Sequence, residues 1–186
     1  MAVAYENLLV AGGRFTNDNG DVETVVVPAT TTVARGTLMG RVTATGKYAT
    51  SNVVSYSTTG ATQVVTTAIG EVVRFAVASG STGTGTVGND YQALTVQAAL
   101  ELDTVAFTTD TTNWLDLGAV TGSETPTAVL QADAVNLTAA VADVKVVAWK
   151  KGTFNSLGLT FGNGKTIANT KNDLHNVSIE ITLGVA

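Results

Sequence analysis

The sequence predicts a mainly β protein with one short helix near its C-terminal end. Short runs rich in Val, Thr, Ile and aromatic residues recur along the chain, and clusters of Gly, Pro, Asn and Asp divide them. No alternating series of strand and helix surrounds them, so a parallel α/β sheet is not expected. A length of 186 residues favours one domain carrying an insertion, with enough chain to bury a core.

Taken in order, residues 1–13 form an arm-like start. Tyr5, Leu8, Leu9 and Val10 are apolar, and little around them offers local packing. Two readings stand on the residues alone: a strand packed on its own core, or an arm that adds a strand to a partner. Asn19-Gly20 is the strongest local hairpin signal, because Asn-Gly suits a type I′ turn. Residues 14–16 and 22–27 would be its strands. Residues 27–48, VPATTTVARGTLMGRVTATGKY, read as two strands with a turn at Arg35-Gly36 and another at Thr45-Gly46-Lys47. Gly40 lies inside the second run, where a bulge or a close backbone approach would explain a missing side chain.

Residues 52–121 read as further strands at 53–57, 62–67, 72–78, 94–98 and 104–108. Residues 93–102 have the alternative of a short helix, since Ala, Leu, Gln and Glu favour one. Trp114, Leu115 and Leu117 would anchor the return of this segment. Pro126 opens a strand through Leu130, and residues 141–149 are apolar enough to be buried on both faces. Asn169 or Thr170 would cap a helix through His175, with Leu174 and Val177 facing inwards. Residues 178–183 close as a strand.

Composition bounds the function. Charged residues make up 13% of the chain, against a usual value of about 25%. Such depletion is typical of surfaces covered by other subunits. There is no cysteine, which excludes disulfides and thiolate chemistry. The start of the chain has no basic region or long apolar run, so no secretory signal or membrane span is expected. A net charge of −5 argues against nucleic acid as a partner. Its distribution is uneven: between Tyr48 and Val144 the only basic residue is Arg74, among nine acids.

The motifs that suggest chemistry are weak. Gly83-Thr84-Gly85-Thr86-Val87-Gly88 matches the dinucleotide fingerprint, with Asp103 near the ribose-contact offset. The parallel sheet that gives the fingerprint its meaning is missing, so a flexible surface loop is expected. Gly162-Asn163-Gly164-Lys165-Thr166 resembles the end of a phosphate loop but has Leu159 where the first Gly belongs, which leaves a tight turn before the helix. His175 is the lone histidine, and Asp173 does not share its helical face. Asn17, Asp18, Asn19 and Asp21 do not fit a calcium loop. No cofactor and no metal are expected, and no enzymatic activity.

The order of motifs resembles a family. Pro28, a Thr-rich run, Arg35-Gly36-Thr37-Leu38-x-Gly40 and a strand ending Gly46-Lys47-Tyr48 are followed downstream by Pro126-Thr127-Ala128-Val129-Leu130. Lys151-Gly152-Thr153-Phe154-Asn155, Leu159-Thr160-Phe161-Gly162, a helix near 168–175 and Ile179-Glu180-Ile181 complete it. This order is similar to that of the lambda-type head decoration, or capsid cement, proteins of tailed bacteriophages. It covers residues 1–51 and 122–186, and residues 52–121 depart from the pattern as an insertion of about seventy residues, where the family has a short link.

The resemblance implies a β-clip-like fold. Its core would be residues 14–51 and 122–186, with 52–121 as a β-rich insertion and 1–13 as a capsid-binding arm. It implies a homotrimer on the outer surface of the virion, assembled in the host cytoplasm and bound to the major capsid protein. Neither nucleic acid nor membrane would be a partner. Tyr5, Leu8, Leu9 and Val10 would touch the shell. Pro28, Gly36, Gly40, Gly46, Tyr48, Gly152 and Phe154 would be motif residues that serve the fold. The alternative is a tail, fibre or adhesin-like β module that binds a host receptor or glycan.

Overall fold

The computed structural model describes residues 8–10, 13–16, 20–28, 30–77, 83–137 and 142–183, with backbone alone for 8–10, 13–16, 20 and 142. The first part of the chain supplies β1 (Leu8–Val10), β2 (Gly13–Thr16), β3 (Gly20–Val27), β4 (Thr32–Val33), β5 (Leu38–Arg41) and β6 (Tyr48–Thr50). The middle supplies β7 (Val54–Ser57), β8 (Val64–Thr67), β9 (Val72–Arg74), β10 (Asp90–Ala93), β11 (Gln97–Glu101) and β12 (Trp114–Gly118). The last part adds β13 (Pro126–Leu130), β14 (Ala134–Val135), β15 (Ala142–Trp149), β16 (Gly152–Asn155), α1 (Ile167–Asn176) and β17 (Ile179–Thr182). Among the described residues the protein is mainly β with a single short α-helix near its C-terminal end.

Five strands close a barrel in the order β13-β15-β3-β6-β5. Its spine is the antiparallel ladder of β15 on β3, which runs from Ala142 opposite Val27 to Trp149 opposite Gly20. Val25, Val27, Met39, Tyr48, Ala128, Leu130 and Ala148 form one buried cluster, with small residues at two positions where the strands crowd. Each large apolar side chain buried there contributes about 1.5–3 kcal/mol.

Strand alternation sends the neighbours of these residues the other way. Leu38 and Val129 join Trp149, Phe154, Leu159, Leu174, Ile179 and Ile181 in a second cluster. That cluster lies under α1 and the four-stranded sheet β1-β2-β16-β17. Hence β5 and β13 are buried on both faces, which explains their unbroken apolar runs.

The insertion is a lobe with its own core. Its sheet runs β12-β10-β9-β7, and β8 pairs with β11 beside it. Phe107 is the hub: its ring lies 4.8 Å from Tyr91, 4.8 Å from Trp114 and 5.9 Å from Phe75. Trp114 belongs to this core, whereas Leu117 joins Val42, Ala49, Val72 and Val120 at the seam with the barrel.

Several expectations are corrected. β2 and β3 do not form a hairpin: β2 pairs with β1 and β16, while β3 pairs with β15 and β6. Residues 17–19 of the expected turn lie outside the described residues. Residues 93–102 are not helical, because Ala93 ends β10 in the lobe core and Gln97–Glu101 pairs with β8. Tertiary pairing there overrides helix propensity. Residues 104–108 are not a strand; a 3-10 turn at Leu102–Thr104 precedes a single bridge from Ala106 to Thr84. The turn drops Phe107 into the core. The helix cap is Thr166, with Asn169 completing a capping box three residues on.

Candidate functional site

The residues expected to serve the fold lie at turns, close backbone approaches and packed positions, in the barrel and in the sheet beside it. The Pro28 carbonyl accepts from the Thr31 hydroxyl at 2.7 Å, closing a turn before β4. Gly36 has φ +81°, and a Cβ there would stand 2.2 Å from the Gly158 carbonyl oxygen. Only glycine meets both conditions. At Gly40 a Cβ would stand 1.9 Å from the Ser123 carbonyl oxygen. The close approach, rather than a bulge in β5, explains this residue; the register shift lies opposite, between Pro126 and Ala128. Gly46 donates its N–H to Val42 in the β5–β6 turn. The Lys150 ammonium lies 3.7 Å above the Tyr48 ring and 2.8 Å from Glu23. Gly152 opens β16 beside β17, and buried Phe154 packs 5.6 Å from Trp149.

The residues expected to contact a partner fall differently. Tyr5 lies outside the described residues. Leu8, Leu9 and Val10 form β1, paired in register with Phe15, Arg14 and Gly13 of β2. Within the expected arm, residues 8–10 are thus paired inside the chain. β1 is the rim of its sheet, with a neighbour on one side only among the described residues.

The chemistry-like motifs do not assemble a site. In the Gly83–Gly88 loop, Thr86 donates its N–H to the Tyr91 hydroxyl at 2.9 Å. Asp103 is buried and accepts from the Gly60 N–H at 3.2 Å. Residues 162–165 form a turn closed by Lys165 N–H to Gly162, and Thr166 then caps α1. Burial pushes the Lys165 ammonium below its ordinary value, against the pull of Asp173 and Glu124. His175 is exposed and pairs with Glu180. Among the described residues no group of three or more His, Asp or Glu is placed to hold a metal ion. Nor is any helix among them long and apolar enough to cross a membrane.

Sequence reasoning missed two features of the seam between barrel and lobe. The first is an ion cluster. Arg74 grips Asp90 with two hydrogen bonds, at 2.7 and 2.9 Å, and reaches Glu124 at 2.5 Å. Its lone positive charge in an acidic stretch was the available signal. Burial raises the Asp90 carboxyl above the usual range despite the guanidinium. The second is a cleft of about 280 Å³, lined by Val33, Ala49, Leu115, Leu117 and Val120. The amides of Asn52, Gln92 and Asn163 and the hydroxyls of Thr32 and Thr50 complete its wall. Its parts come from segments more than a hundred residues apart, so no local pattern announces it.

No family model matches the chain, and no curated protein or solved structure matches it.

Proposed function

We propose that this chain is a non-enzymatic structural protein of a phage virion: a trimeric decoration protein with a β-clip-like core that binds the outside of the head and stabilises it. The observation that carries the reading is β1, a three-residue strand near the start of the chain at the rim of a four-stranded sheet among the described residues. A strand with one unpaired edge is a template for main-chain pairing with another protein. Fixing each backbone residue of an arm costs roughly 1–2 kcal/mol, and hydrogen bonds to the shell offset this cost. Three arms on one trimer engage together, so modest single contacts become high avidity. The acidic lobe then faces solvent, away from the major capsid protein.

Co-sedimentation with undecorated mature capsids tests this reading. The comparison sets the full chain against a variant lacking residues 1–10, which leaves β2 intact. Saturable pelleting of the full chain alone supports both the decoration role and the arm. Equal pelleting removes the arm. If neither pellets with its matched shell, the tail, fibre or adhesin alternative takes its place.

A further inference from the structure

The seam cleft has the chemistry of a ligand site. Every side chain that lines it is uncharged, which leaves nothing to balance a phosphate, a carboxylate or an ammonium group. Its apolar members are aliphatic, and its polar members are amides and hydroxyls. The amides retain hydrogen-bonding capacity. Asn52 uses its oxygen to accept from the Asn163 N–H at 2.8 Å, and its Nδ2 has no partner among the described residues. Gln92 donates to the Gly70 carbonyl at 3.3 Å, and its Oε1 has no partner among them. The Asn163 side chain makes no hydrogen bond among them either. Donors and acceptors thus converge on a wall that also offers aliphatic contact.

Of the strands that reach the cleft, β3, β6 and β10, which carries Gln92, are paired on both sides, whereas β12 and β4 are edge strands of their sheets. The polar wall of Asn52, Gln92 and Asn163 offers side-chain groups, which suits a ligand studded with hydroxyls; an added peptide strand on β12 or β4 is the competing mode that the peptide comparison tests. The location at a junction of two packed units is also where small-molecule sites concentrate.

We propose that this cleft binds a neutral saccharide, with the amides of Asn52, Gln92 and Asn163 pairing with ring hydroxyls and the aliphatic wall covering an apolar face of the sugar. The assignment does not depend on where the chain sits on a particle. Without an aromatic platform, a single sugar ring of about a dozen non-hydrogen atoms should bind with a Kd of about 1 mM or weaker.

Saturation-transfer NMR on the full chain tests it, with neutral hexoses and N-acetylhexosamines set against sialic acid, a sugar phosphate and a short uncharged peptide. The expected result is transfer to at least one neutral sugar. Binding should fall at least fivefold in Gln92→Leu and vanish in Thr32→Trp, where a bulky ring at an exposed rim position fills the cleft. Both variants should keep the circular dichroism spectrum and melting temperature of the parent. Lack of transfer to every neutral sugar at ten times the expected Kd would overturn the proposal. So would preference for the charged sugars or the peptide, or sugar binding that survives both substitutions.

Discussion

Arg74 ties the lobe to the return of the chain. It joins Asp90 in the lobe to Glu124 on the return to the barrel, and each carboxylate is held within hydrogen-bond distance. Asp90 is raised chiefly by burial, which the Arg74 hydrogen bonds only partly oppose. A carboxyl raised in the fold contributes most below the ordinary Asp range, and that contribution is lost as pH rises through its folded value. Arg74→Gln leaves the burial cost unopposed and widens this gap. The variant should lose about 2–4 kcal/mol near neutral pH, and the deficit should shrink in acid, because a protonated Asp90 no longer needs the cation. Urea unfolding at neutral and at acid pH measures this, and an equal deficit at both would refute it. Gly40→Ala presents a simpler case. The atoms that block its Cβ are backbone carbonyls of Ser123 and Thr125, which no rotamer change can clear. It should cost at least about 2 kcal/mol in the same assay.

At the level of elements, legibility followed the reach of the interactions. Residues 126–130 and 141–149 read as strands because their apolar runs are local signals; Pro126–Leu130 and Ala142–Trp149 are strands of the barrel, although Asp143 and Lys145 are exposed rather than buried. The short helix was legible for the same reason, but its cap was not. Asn169 was a candidate cap and instead serves as the third helical residue, its side chain accepting from the Thr166 N–H at 2.8 Å. Thr166→Ala removes the reciprocal bond and should lower stability by about 1 kcal/mol. A matched drop in melting temperature with unchanged strand signal would show it. The Asn19-Gly20 signal misled because turn chemistry says nothing of ladder length. β3 gains a long register with β15, some 120 positions away, and a β2–β3 hairpin would forfeit it. The seam cleft was invisible for a related reason, since its walls come from both barrel and lobe, and the Arg74 cluster showed only as a lone cation among acids.

The whole molecule is a barrel with a lobe grown from one loop, and the way the lobe is attached makes a strong prediction. Its two feet are neighbours: the Ser51 hydroxyl donates to the Glu124 carbonyl at 3.0 Å, and the Thr43 N–H donates to the Thr121 carbonyl at 2.8 Å. The two buried clusters of the barrel half contain no residue from 52–121. The lobe core likewise contains none from outside it. Only the seam cluster mixes the two, through Val42 and Ala49 on one side and Val72, Leu117 and Val120 on the other. Replacing residues 52–121 by a short Gly-Ser link should therefore leave a folded barrel, because the closure spans a small gap and the barrel core is untouched. The newly exposed Val42 and Ala49 would lose burial worth about 2–3 kcal/mol, so the shortened chain should unfold cooperatively at a lower temperature. Adding Val42→Thr should improve its solubility without restoring that stability. A non-cooperative melt, or loss of dispersed methyl signals in NMR, would mean that the lobe is part of the folding unit rather than an addition to it. The same shortened chain bears on both functional proposals. It should still pellet with capsids, since β1 and β2 are retained, and it should lose sugar binding, since Gln92, Leu115 and Leu117 are gone.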